Sequence, residues 1–230
     1  MAKDRRRVRV AVLDVNETLC DLAPLGERIA ALGAPAHLLD VWFASVLRDG
    51  FALSLHADFD TFGALGRDVL AGLLAQHGVE DPDAGAGHVL AGFGEFDLHP
   101  DVPDGIGALR EHGLRVVTLT NGNADLTDRL LERHGLLDLV EHRLSVDAVR
   151  RWKPAAAPYL HAASVCGVDP GRAALVAVHP WDVDGAMRAG LVGAFLARGG
   201  LRYPASFLPA DVTAATLPEL AAELAALRAP

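Results

Sequence analysis

The feature that most constrains the fold is a set of short apolar, β-branched runs, each stopping abruptly at polar residues. They are VRVAVL (8–13), LRVVTLT (114–120), the weaker EHRLSV (141–146), AALVAV (173–178) and LVGAFL (191–196). Segments of helical character separate them, at 103–112, 124–134, 155–166 and 182–189. Strand and helix in alternation predict an α/β fold with a parallel sheet covered on both faces and right-handed crossovers. Between Asp21 and Pro100 the pattern changes. Residues 24–33, 36–49, 58–77 and 83–91 read as helices with no convincing strand between them. In VWFASVLRDGFAL (41–53) the spacing turns Val41, Phe43, Leu47 and Phe51 toward an apolar side. A helical insertion therefore follows the first strand. The segment TLPELAAELAALR (216–228) predicts an amphipathic helix with Thr216 as its cap.

A chain of 230 residues fits one large domain or a core domain with an insertion, and 51% hydrophobic content supplies a sizeable core. No apolar run approaches the roughly 20 residues of a membrane span. The opening MAKDRRR is basic like a secretion signal, but the apolar stretch after it is short and runs straight into Asp14. These arginines are expected to be a solvated leader. A formal net charge of −9 argues against nucleic acid as a partner. Cys20 and Cys166 have no metal-type spacing, and free thiols in a reducing cytoplasmic setting are the simplest expectation.

In open α/β sheets ligands bind beyond the carboxyl ends of the strands. Here those positions hold Asp14, Val15, Asn16 and Thr18 after the first run, and Thr120, Asn121 and Gly122 after the second. Lys153-Pro154 follows the third, and His179, Pro180, Trp181 and Asp182 follow the fourth. Each has a plain structural explanation. Asp14 could cap a helix, Asn121-Gly122 could be a turn, Lys153 could be a surface lysine, and Asp182 could be an N-cap. All four falling at successive strand ends in a fixed order points instead to one crevice.

This order resembles the haloacid dehalogenase superfamily, which has a nucleophilic Asp after the first strand, Ser or Thr after the second, Lys near the third and an acid after the fourth. LTNG (119–122), SVDAVRRWKPAAAPY (145–159) and WDVDGAMRAG (181–190) look like segments of the type II 2-haloacid dehalogenases within it. The resemblance implies a Rossmann-like parallel sheet of five strands in the order 5-4-1-2-3. It implies a core domain of residues 1–20 and 100–230 and a helical cap domain of residues 21–99. It also implies a homodimer.

The implied chemistry is attack of Asp14 on the halogen-bearing carbon of a small anionic haloacid, giving an ester that water then hydrolyses. Lys153 offsets charge repulsion, and Thr18 and Thr120 position the carboxylate and substrate. His179, near Asp182, is a candidate base or water holder. Trp181, Tyr159, Phe43, Leu47 and Phe62 are candidate pocket walls, and Asn121 receives the halide. No cofactor and no metal are expected. Phosphatases of the superfamily carry a second acid two residues after the nucleophile and hold Mg²⁺ with acids at the fourth strand end. Here those positions are Asn16 and His179. The resemblance breaks at Phe43, which follows Trp42 where the type II enzymes have a halide-receiving Arg. It breaks again at His179 and Ala177, which stand for Asn and Ser. A Mg²⁺-dependent phosphatase, a binding protein without catalysis, and hydrolytic opening of a strained ring acid stay open as alternatives.

Overall fold

The computed structural model describes residues 8–227, so the basic leader lies outside the described residues. Six parallel strands form one sheet in the order β3-β2-β1-β4-β5-β6. They are β1 (Val10–Leu13), β2 (Arg115–Thr120), β3 (His142–Ser145), β4 (Ala173–Ala177), β5 (Val192–Leu196) and β6 (Val212–Ala214). The five expected strands are present in the expected order. The sixth, β6, pairs Val212 with Ala194 at the sheet edge. It escapes sequence reading because it is three residues long and not an apolar run.

After β1 come α1 (Ala23–Ala31), α2 (Leu38–Leu55), α3 (Phe62–Gln76) and α4 (Pro82–Leu90). The alternation then resumes with α5 (Val102–Glu111), α6 (Ala124–Arg133), α7 (Ala156–Val165), α8 (Pro180–Arg188) and α9 (Leu217–Ala226). Helix α2 continues to Leu55, past the expected end at 49. Helix α3 starts late because Thr61 caps it, accepting the Ala64 N–H at 3.2 Å. Thr216 caps α9 through a reciprocal box with Glu219.

Successive residues of a strand face opposite sides of the sheet. Accordingly Val10 and Val12 join one buried cluster with Val117, Leu119, Tyr159 and Leu175. Ala11 and Leu13 join the other, with the helices of the insertion and with α5 and α9. On α2 the buried stripe is Trp42, Phe43, Val46, Leu47 and Gly50. Val41, expected on that side, is 44% exposed. It is rotated off the stripe that Trp42, Val46 and Gly50 define at intervals of four. Among the described residues no helix is long and apolar enough to cross a membrane.

Candidate active site

Strand β1 delivers Asp14 to the point where chain order reverses across the sheet, since β1 has β2 on one side and β4 on the other. The Asp14 N–H still donates to Val176 O at 3.0 Å, so the backbone is in register when the acid is presented. The carboxylate is buried and both oxygens are held. Oδ2 accepts from the Thr18 hydroxyl at 2.7 Å, and Oδ1 accepts from Lys153 Nζ at 2.7 Å. The Thr18 Oγ in turn accepts the Val178 N–H at 3.2 Å, which aims its hydrogen at Asp14.

Lys153 has no exposed surface. Its ammonium has three donors, and each has a partner: Asp14 Oδ1, Asp182 Oδ2 at 2.7 Å and Leu119 O at 2.9 Å. The Lys153 N–H donates to Asn121 Oδ1 at 2.9 Å, so Asn121 fixes the lysine loop and keeps Nδ2 as its own donor. The Lys153-Pro154 peptide is cis. Thr120 is turned inward, its Oγ accepting the Gly122 N–H at 2.8 Å, and Ser145 Oγ donates to Gly122 O at 2.7 Å.

Two acids share this one lysine, and their environments push them apart. Burial alone would raise Asp14, but the neighbouring Lys153, then His179 and Thr18, outweigh it and hold its carboxyl below the ordinary carboxylate range. Burial raises Asp182, and Lys153 does not fully offset that with Asp14 adding its repulsion. The proton preference therefore lies with Asp182, and Asp14 stays ionised.

Asp182 is not a helix cap. It is fully buried, with Tyr159 donating to its Oδ1 at 2.6 Å. Tyr159, expected as a pocket wall, sits behind Asp182 among the β-strand side chains of the opposite cluster. Its phenol is raised well above its ordinary value, first by burial and then by Asp182.

His179, expected beside Asp182, faces Asp14 instead. Its Nε2 lies 3.1 Å from Asn16 O and 3.6 Å from both Asp14 Oδ2 and Glu17 Oε2. A carbonyl only accepts, so that nitrogen carries hydrogen. The ring stacks on Trp181, with centroids 5.3 Å apart and planes at 21°, and meets Phe43 of α2 at 5.9 Å. Two of the three positions where the sequence departs from its resemblance, Phe43 and His179, are thus in ring contact.

Phe62 stands between Trp42, Phe93 and Trp152, with centroids at 6.0, 5.8 and 5.8 Å. Leu47 is buried on α2 beside this aromatic group. Beyond Val15, Asn16 and Thr120 opens an apolar cavity of about 140 Å³, lined also by Phe62, Phe93, Leu126 and Cys20. The Cys20 thiol points to Val15 O at 3.7 Å, and burial pushes it up to about 12.

Two residues escaped sequence reading. Trp152 is fully buried and ties the insertion to the lysine loop. Its N–H donates to Ser54 Oγ and its indole N–H to Asp60 O, both at 2.9 Å. A Cβ on Gly50 would fall inside its ring, and a glycine inside a helix was the available signal. Glu17 holds a left-handed backbone, φ 62°, in the loop that follows Asp14. Burial raises its carboxyl, against the pull of His179.

The residues at hand do not fit a divalent ion. The gap between the Asp14 and Asp182 carboxylates is taken by Lys153 Nζ, and the Asp14 Oδ2–Asn16 O corner by the His179 N–H. Among the described residues no group of three or more His, Cys, Asp or Glu is placed to hold a metal.

A lysine-clamped carboxylate thus stands at the end of a central strand of an α/β sheet, where such sheets bind their ligands. The family follows from comparison. The model of the haloacid dehalogenase-like hydrolases matches residues 8–190, and the chain belongs to that family. The (S)-2-haloacid dehalogenase 4A of Burkholderia cepacia is 26% identical over 215 residues, covering 93% of each chain. A solved structure described as a dehalogenase is also 26% identical, with a TM-score of 0.87 over 96% of this chain and 98% of its own. A phosphoglycolate phosphatase of Chromobacterium violaceum is 37% identical over 123 residues, 54% of each chain.

Proposed function

We propose that this chain is a hydrolytic dehalogenase of short 2-haloalkanoic acids. The observation that carries the proposal is the clamp on Asp14: an ionised carboxylate held by Lys153 and Thr18, with an amide, Asn16, where a phosphate-ester enzyme of the superfamily has its proton-shuttling acid. A halide leaves as an anion and needs no proton, whereas an alkoxide does.

An Asp14 oxygen attacks C2 of the substrate. The carbon–halogen bond breaks, the halide departs with the bonding pair, and an aspartyl ester forms. Water then attacks the Asp14 carbonyl carbon and releases the 2-hydroxy acid and a proton. Lys153 and Thr18 orient the carboxylate, and Lys153 stabilises it. Lys153 has no hydrogen left for the substrate, because its three are already bonded. The Lys153 charge, held 2.7 Å from Asp14 Oδ1, offsets the charge of the incoming acid. At about 4 Å one pair of unit charges is worth roughly 4 kcal/mol at an effective dielectric of 20, before desolvation. His179, with Nε2 3.6 Å from Asp14 Oδ2, holds the attacking water. Asn121 Nδ2 faces the departing halide. Residues 21–99 act as a cap that closes Phe43, Leu47 and Phe62 over the strand ends and keeps water from the first step.

The test is a single turnover of 2-chloropropionate in ¹⁸O-water, weighing the peptide that holds Asp14. Label in the Asp14 carboxylate is expected. Label only in the product hydroxyl would place water on the substrate carbon and overturn the ester. Metal-dependent release of phosphate from a phosphomonoester, without halide release from haloacids, would favour the phosphatase reading.

A further inference from the structure

We infer that the 140 Å³ cavity beyond Asn16 is a subsite for an apolar group on the reacting carbon, of about the bulk of a phenyl ring, so that the preferred haloacids carry an aryl or C4–C6 alkyl chain. The inference rests on the reading of Asp14 as the nucleophile.

Position comes first. The floor of the cavity is Val15, Asn16, Thr120 and Gly122, the residues that follow β1 and β2. Val15 and Asn16 adjoin Asp14 in the chain, so a substituent on a carbon bound to Asp14 has a short path into the space. Wall chemistry comes second. Leu126 and Leu130 of α6 line one side, and Phe62, Phe93 and Phe96 the other. The polar side chains on the floor are Thr120, whose Oγ accepts the Gly122 N–H at 2.8 Å, and the Asn16 amide. A second carboxylate or a sugar hydroxyl would lose its water there and find little beyond one amide in return. Permanence comes third. Arg133 of α6 donates to the carbonyls of Gly94 and Phe96, which fixes the aromatic wall against the helix across the cavity. Phe62 is braced edge-on against Trp42 and Phe93.

Size decides the occupant. An apolar cavity of about 150 Å³ in a protein core stays dry and takes up benzene. The present cavity is of that scale and adjoins the site, so a chain reaching it gains burial at no cost of displaced, well-bonded water. Each added methylene is worth about a fourfold gain in kcat/KM until the space is full. The methyl of a 2-halopropionate is too short to enter.

The experiment uses the full chain and two independent readings. In the first, halide release is followed for 2-bromopropionate, 2-bromohexanoate and 2-bromo-3-phenylpropionate. The expected order is rising kcat/KM, with the longer acids at least tenfold above 2-bromopropionate. Leu126→Trp should lower that ratio at least tenfold, and the smaller Leu126→Phe should lower it by less. Leu126 is half-buried on α6, and far-UV circular dichroism checks that both variants fold. Flat or falling kcat/KM along the wild-type series overturns the subsite while leaving the nucleophile reading intact. The second reading needs no turnover. Calorimetry with 3-phenylpropionate and propionate should give at least tenfold tighter binding of the former, lost in Leu126→Trp. Equal affinities overturn the subsite. If no bromoacid releases halide and 3-phenylpropionate still binds tighter, the nucleophile reading falls and the cavity stands.

Discussion

The strand-end wall of the crevice and the wall built from α2, α3 and Phe93 are held together by different physics. At the strand ends the side chains are few, charged and fully buried, and their hydrogen bonds converge on one lysine. Asp14, Asp182 and Tyr159 are fixed through Lys153 or each other at 2.6–2.7 Å. The facing wall has no such network. Trp42, Phe43, Phe62, Phe93 and Trp152 touch edge to face or stacked, at 5.8–6.4 Å between centroids. A charged wall cannot shift by an ångström without orphaning a buried group. The aromatic wall is held by ring packing, with the Trp42 and Trp152 indoles donating to Gly66 O and Asp60 O at 2.8 and 2.9 Å. The contrast teaches that one wall is fixed by charge pairing and the other by packing, so that on the proposed function the first sets the chemistry and the second the shape of the substrate.

The hardest blow to the charged wall is Asp14→Asn. It removes the proposed nucleophile, and halide release should fall by roughly 10³- to 10⁴-fold. A variant keeping a tenth of the activity would remove Asp14 from the mechanism. Next is Lys153→Met, which leaves two buried carboxylates facing each other without their cation. Breaking such a set costs about 3–5 kcal/mol, read as a lowered midpoint in urea unfolding, and a change under 1 kcal/mol would show that the three groups are not coupled.

The aromatic wall is probed by Gly50→Ala. Helix propensity alone predicts a gain of about 1 kcal/mol. The new Cβ would overlap the Trp152 ring, and overpacking of about 1–3 kcal/mol should win. Thermal unfolding decides the sign, and a stabilised variant would mean that the Trp152 ring moves aside at little cost.

The smallest effect belongs to the strap under both walls. Asp101 accepts from Arg198 and from the Leu217 N–H at 2.8 Å, while Arg198 also donates to Thr18 O at 3.2 Å. Burial opposes ionisation of Asp101, but the Arg198 and Leu217 bonds outweigh it and lower its carboxyl from 3.8. A lowered folded value contributes stability that is present above 3.8 and lost as pH falls through the folded value. Asp101→Asn should therefore cost about 1 kcal/mol at pH 7, after allowance for its exposure, and progressively less as pH falls below 3.8. Chemical unfolding across an acid pH series checks it.

The charged wall was the legible one. Its residues sit where strands end, so Asp14, Thr18, Lys153 and Asp182 could be placed from the runs before them. Partnership was less legible than place. Nothing in the local sequence says that Tyr159 turns back to Asp182, or that His179 turns to Asn16 O, because both depend on how two loops meet in space. The strand β6 was invisible because it is three residues at a sheet edge, with no apolar run to announce it. The aromatic wall was legible only as an apolar stripe on α2. Its phase was misjudged at Val41, because Gly50 faces Trp152, a residue about a hundred positions away, and Trp42 faces Phe62 and Phe93. The strained Glu17 had no sequence mark.

One consequence attaches to Cys20. On the proposed function the substrate is an alkylating agent toward thiolates, and Cys20 lines the proposed subsite. Only the thiolate reacts at speed. With its thiol moved from 9.0 to about 12, Cys20 carries about a thousandfold less thiolate near neutral pH than an ordinary cysteine. Burial that serves packing thereby also protects the catalyst from self-poisoning, and lets a soft nucleophile sit unharmed beside a reactive electrophile.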